Sequence, residues 1–338
     1  MNPLVQRGLL LALVMAAMAH VGMFGTWVVE DSAISFAYAR NFADGHGLVP
    51  YVGGERVEGF SNPTWVAVLV LGEAIGLGAF WTAKVASFLL CGVSVLLVHR
   101  LGRYACPESP IAAPLAAAAA LAVNSQFGIF GAAGLENSLF SCLLALALLL
   151  SVQEVEDEGF PHSVWVWLLI AVTRPEGIAY AALAGLWAML ASLQRGRGTK
   201  PTIQWLVAFF APFIVYHAAR YAYFAYPFPM TAYAKVTQSP SQILRWDGRG
   251  WRYLRKFGSF TWQGWLLPIY VVGLVGVSGW RVKAAAIAAP LALVCIFTGV
   301  ETELFTGWNL ARGTLLFAMA GVLAAPRVDT TVSYLRSL

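Results

Sequence analysis

Eleven apolar runs follow one another along this chain: Gly8 to Val28, Pro63 to Phe80, Thr82 to Arg100, Pro110 to Phe130, Leu135 to Val152, His162 to Val172, Ile178 to Leu193, Ile203 to Tyr223, Gly264 to Trp280, Ala284 to Val300 and Gly307 to Ala325. Few architectures accept such a series. A helix of about 20 apolar residues crosses the ~30 Å hydrocarbon core of a bilayer, with all its backbone hydrogen bonds made internally. The 12% of charged residues, against roughly 25% in an ordinary globular domain, leaves too little polar surface for a water-soluble fold. The sequence therefore predicts an all-α polytopic membrane protein, a bundle of about ten to eleven hydrophobic segments. Residues 1–338 form one transmembrane domain in this reading, with no separate soluble domain. Arg7 precedes the first run and no small-residue cleavage site stands out, so that run is expected to be retained, with a cytoplasmic N-terminus.

Orientation follows from the basic clusters, since Lys and Arg collect in cytoplasmic loops. Arg100 with Arg103, Arg195 with Arg197 and Lys200, Arg281 with Lys283, and Arg327 with Arg336 all fall on one side if the runs from Thr82 onward cross alternately. The turns at Glu136, at Arg174 to Glu176, from Ala225 to Trp262 and at Glu301 to Glu303 then lie outside. The parity closes only if one earlier run stops short, and Glu73 interrupts Pro63 to Phe80 after about ten apolar residues, where an ionisable group costs roughly 2.5–3.5 kcal/mol in hydrocarbon. The alternative is a full crossing there with a reversed charge bias. The net charge of +5 thus reads as an orientation signal, and nothing points to nucleic acid. Cys91, Cys106, Cys142 and Cys295 form no CxxC, and the scattered histidines show no HxH or HxxxH spacing, so no zinc site is expected.

The exception to this apolar character is residues 29–62, a polar and Gly-rich first external loop that opens on Glu30 and Asp31. A carboxylate at the mouth of a membrane cavity, beside a second one, faces desolvation and like-charge repulsion, which improve it as a base. Asp31 also has a structural reading, as the N-cap of the helical pattern that ends at Gly45. Glu30 tunes Asp31, bonds hydroxyl groups of a substrate or is an interfacial charge; a divalent cation on the pair is compatible but not required. Glu136 and Glu176 border apolar runs at the outer face, where ionisable groups are functional candidates, with pairing of Glu176 to Arg174 as the structural alternative. Arg174, Arg220 and Lys235 are the cations suited to a phosphate, or to anchoring at headgroups. Arg40, His46 and Glu58 complete the candidates from the loop, His46 between two glycines that permit close approach of a ligand, with a histidine on the surface of a turn as its structural alternative. The aromatic and basic stretch 225–262 suits an interface, with residues 241–257 as a helix lying in it, and the acidic run from Glu154 to Glu158 reads as a solvated loop.

Taken in order, EDSAISFAYARNFADGHGL, GERVEGFSNPTW, GLEN (Gly134 to Asn137), TRPEG (Thr173 to Gly177) and RYAYFAYPFPMTAYAKV (Arg220 to Val236) resemble the bacterial GT-C membrane glycosyltransferases typified by the mycobacterial terminal arabinofuranosyltransferases. The resemblance covers residues 29–236. It implies transfer of a sugar from a polyprenyl-phosphate donor to a glycan, lipid or protein acceptor on the extracytoplasmic face of the inner (plasma) membrane, with Asp31 as base and no cofactor. This chain has Glu30 and Asp31 where the family usually has two Asp, only an echo of a late GDWM segment in Gly307-Trp308-Asn309, and no large C-terminal soluble domain. A carrier or flippase for a polyprenyl-linked substrate is the alternative function. Internal repeats would favour it, and none is found.

Overall fold

A computed structural model of the chain describes residues 2–105, 112–154 and 159–235. The chain divides into two compact units, one of Met1–Leu101 with Ile111–Tyr233 and one of Gly102–Pro110 with Ala234–Leu338. In the second unit the described residues are only those at the ends of two helices. The expected external stretch beyond Lys235, the three last apolar runs and most of the acidic run after Glu154 lie outside the described residues.

All regular structure among the described residues is helical, as expected. Helix α1 (Pro3–Gly22) starts with Asn2 accepting the Leu4 N–H and Pro3 at the first position, where its missing donor costs nothing. It ends six residues before the Val28 limit of the apolar run. Helices α4 (Ala79–Ala105), α7 (Asn137–Glu154) and α10 (Lys200–Phe224) are, with α1, long and apolar enough to cross a membrane. The run from Pro110 to Phe130 is not one straight span. It forms α5 (Ala112–Ala122) and α6 (Ser125–Ala132), bent by 53° where Asn124 turns its side chain onto the Gln126 and Phe127 N–H groups and starts a new helix.

Three apolar runs make shorter helices: α3 (Pro63–Ala74), α8 (Ser163–Thr173) and α9 (Gly177–Gln194). At 1.5 Å per residue α3 reaches about 18 Å, well short of a bilayer, so the run interrupted by Glu73 does stop short. Glu73 has a local use there, since its Oε1 accepts the Ala79 N–H at 2.8 Å and caps α4. The polar loop holds α2 (Ser32–Ala43), which packs on α3 around Ala39, Trp65 and Leu69. Helices α7, α8, α9 and α10 pack in sequence order, and the short helix α11 (Met230–Lys235) follows α10. Between α8 and α9 the turn is so tight that a Cβ on Gly177 would lie 2.1 Å from the Ile170 carbonyl oxygen. Only glycine fits there without moving backbone.

Candidate active site

Four loops or helix ends converge through one chain of hydrogen bonds. Asn62 stands at the N-cap position of α3 but makes no capping bond. Its carboxamide is spent elsewhere: Oδ1 accepts from Ser35 Oγ of α2 at 3.2 Å, and Nδ2 donates to Glu136 Oε2 at 2.6 Å. The other oxygen of Glu136 receives the Arg174 Nη1 group, while Arg174 Nε donates to Glu176 Oε1 at 2.5 Å. Glu136 and Glu176 are almost fully buried and Arg174 nearly so. Burial works against the Arg174 charge, but the two carboxylates outweigh it and raise its pKa. Two carboxylates share one guanidinium, so the cluster carries a net charge of about −1 in its ionised form.

This cluster adjoins the start of α2. Gly134, at φ 80°, lets the GLEN turn approach so closely that a Cβ there would sit 3.0 Å from Val28 and 3.2 Å from Ser32. Trp65 Nε1 holds the same turn by donating to the Gly134 carbonyl at 3.1 Å, and the Val29 N–H donates to Ala133. Glu30 and Asp31 therefore stand immediately beside the GLEN turn. Asp31 occupies the N-cap position of α2 without a side-chain capping bond, and four residues before Ser35 it shares that residue's helix face. Both carboxylates are exposed, so the desolvation expected of Asp31 is absent in the chain by itself.

The remaining candidates fall into two groups. Arg220 Nε donates to Glu58 Oε2 at 2.6 Å and its Nη1 to the Pro227 carbonyl at 2.8 Å, with both ionic side chains buried. Burial pushes the Glu58 carboxyl up, and Arg220 offsets this only in part. The Met230 N–H donates to the Glu58 carbonyl, Tyr223 Oη accepts from the Leu48 N–H at 3.0 Å, and Arg56 lies 5.0 Å over the Tyr223 ring. This second group fastens the first loop to the end of α10. Arg40 and His46 are exposed; Arg40 comes within 4.0 Å of Glu73, and Gly45 and Gly47 both adopt positive φ around His46. The Lys235 side chain lies outside the described residues.

Arg174 and Arg220, expected as phosphate holders, thus each face carboxylates. The structure adds three residues that the sequence reading did not single out. Ser35 and Asn62 join α2 to the carboxylate cluster, and Lys84 donates to the Ala132 carbonyl at 2.9 Å and to the Trp27 carbonyl, at the same junction as Val29 and Glu30. Lys84 was detectable in principle, as an ionisable residue inside an apolar run. Among the described residues no three His, Cys, Asp or Glu side chains are grouped to hold a metal ion.

No known protein-family model matches the sequence, and no curated protein does. The structure is similar to the crystal structure of ArnT from Cupriavidus metallidurans bound to undecaprenyl phosphate, with a TM-score of 0.63 at 15% identity over 95% of this chain. That agrees with the GT-C type of fold implied by the loop motifs, whereas the arabinofuranosyltransferases in particular are not singled out. At this identity the likeness is one of fold, and the chain spans 60% of the length of that protein.

Proposed function

We propose that this membrane protein is an inverting glycosyltransferase that moves a sugar from a polyprenyl-phosphate donor to an acceptor hydroxyl of the cell envelope at the outer face of the membrane. The observation that carries the reading is the joining of the exposed Glu30–Asp31 pair, through the GLEN turn and Ser35–Asn62, to the buried Glu136–Arg174–Glu176 cluster. It is supported by a fold shared with a protein solved in complex with undecaprenyl phosphate.

In this mechanism the acceptor oxygen attacks the anomeric carbon and the carbon–oxygen bond to the donor phosphate breaks. The bonding pair leaves on polyprenyl phosphate, and the acceptor proton passes to the Asp31 carboxylate. One well-placed base suffices for this step. Glu30 supports Asp31 or bonds sugar hydroxyls. The buried cluster holds the GLEN and TRPEG turns in register and keeps negative charge beside an anomeric carbon that gains positive character in the transition state. Lys84, a cation that donates to the Trp27 and Ala132 carbonyls where the first loop begins, offsets the charge of the departing phosphate in this reading.

An assay with labelled polyprenyl-phosphate pentoses and hexoses tests the reading, with transfer expected from at least one. Asp31→Asn should lower turnover by about 100-fold or more while donor binding persists; turnover within a few-fold of the unaltered chain would remove Asp31 from the mechanism. Cysteine labelling from outside should reach a residue replacing Gly53 and not one replacing Gly198. The opposite pattern would put the cluster on the cytoplasmic side.

A further inference from the structure

A second polar site lies at the far end of α9 from Glu176. The 18 residues of α9 place the two about 27 Å apart along the helix. There a cavity of about 60 Å³ is lined by Arg195, Arg197, Ser192, Trp187, Trp205 and Glu154, among others. It exceeds the roughly 30 Å³ that one water occupies in bulk. Its floor is built: Trp205 packs where a Cβ on Gly185 would be 2.8 Å from the ring, and it stacks on Phe209. Glu154 is committed to the start of α8, its two oxygens accepting the Ser163 N–H and Oγ at 2.5 Å each. The loop that carries the arginines is set by Gly196 and Gly198, at φ 67° and 70°, with Ser192 Oγ donating to the Gly198 carbonyl at 3.0 Å.

Among the described lining residues, two arginines stand against one carboxylate. Both also engage other groups of the chain, and the five N–H donors of a guanidinium accommodate an added phosphate oxygen. Beside the cavity, Leu186, Leu190 and Leu193 form an exposed apolar stripe on α9, and Trp187, 39% exposed, stands between stripe and cavity. Cations, an interfacial indole and an adjoining acyl-length apolar strip match an amphipathic ligand with a phosphate at its head. Basic pockets between membrane helices on the cytoplasmic side hold anionic headgroups in this way. We propose that this cavity binds the headgroup phosphate of an anionic phospholipid on the membrane face opposite the Glu136–Arg174–Glu176 cluster, a role that does not depend on the transfer chemistry.

The test uses the full chain in nonionic detergent with equal amounts of phosphatidylglycerol and phosphatidylcholine, counting retained lipid by native mass spectrometry. Phosphatidylglycerol is expected to be retained over phosphatidylcholine by at least about fivefold, and Arg195→Gln with Arg197→Gln to abolish the preference. The control Arg281→Gln with Lys283→Gln, of equal charge change, should leave it intact. Trp187→Ala, which alters no charge, keeps the test decisive if the arginine variant fails to fold, and should at least halve retention. An unchanged preference in the arginine variant, an unchanged retention in Trp187→Ala, or an equal loss in the control overturns the proposal. Displacement of the lipid by millimolar inorganic phosphate would assign the cavity to a free anion and overturn it as well.

Discussion

Arg174 and Arg220 are both buried guanidiniums, and the chain gives them opposite company. Arg220 meets one carboxylate, Glu58, and a backbone carbonyl, so its site is electrically balanced. Arg174 is shared by Glu136 and Glu176, which leaves one negative charge in excess. The two sites are close in the chain, since Glu58, which pairs with Arg220, and Asn62, which donates to Glu136 of the Arg174 cluster, lie four residues apart. The balanced pair sits where a loop must be held against a helix. The unbalanced one sits behind the exposed carboxylates that precede α2. A balanced buried pair fixes position even though its attraction repays the burial only in part, while an excess charge in a low-dielectric site costs more and is expected where the chemistry uses it.

Breaking the balanced pair should produce the largest effect. Arg220→Met leaves Glu58 buried and alone and should cost about 3–5 kcal/mol of stability, read from thermal or denaturant unfolding in detergent. Adding Glu58→Leu should recover most of it. A single variant as stable as the double would erase the contrast between the two sites.

At the unbalanced site the loss should appear in activity. Arg174→Lys keeps a charge but cannot bond two carboxylates along a planar fork, and turnover is expected to fall about tenfold with the unfolding midpoint little changed. Arg281→Lys should change neither. Equal tolerance of both substitutions would reduce the cluster to an anchor.

The smallest effect concerns pH. Burial holds the Glu58 carboxyl above its value in the unfolded chain, so the stability it contributes is full below about pH 4.3 and is lost as the pH rises through the raised folded value. Hydrogen exchange in residues 47–60, corrected for intrinsic rates, should therefore quicken modestly across that window. Glu58→Gln should flatten the response; an identical slope in that variant would refute the assignment to Glu58.

Much of this architecture was readable from apolar run length and charge. The early stop of the run after Pro63 followed from Glu73, although the capping bond to Ala79 that explains the residue needs the folded hairpin. The break at Asn124 had a local sign, the polar triplet Asn124-Ser125-Gln126 inside an otherwise apolar run, with Asn124 suited to start a helix, but run length alone passed over it. At the site, the Arg174–Glu176 pairing was legible because the two are neighbours within TRPEG. Glu136 joins Arg174 from 38 residues away and Glu58 joins Arg220 from 162, and periodicity carries no information about such partners. Asn62 escaped notice for a related reason: its position reads as a helix cap, and only the fold diverts its side chain to Ser35 and Glu136.

The methyl group that Gly177 lacks has a consequence for biogenesis. Helix α8, at about 16 Å, is too short to cross a bilayer alone, and an unpaired arginine within hydrocarbon costs roughly 2.5–3.5 kcal/mol on insertion scales. Because nothing projects from Gly177, α8 and α9 can close on each other within the turn and bring Glu176 onto Arg174 without the help of a distant segment. The pair can then enter the membrane as one hairpin with its charge already half answered, and Glu136 needs only to complete the cluster once α7 is beside it.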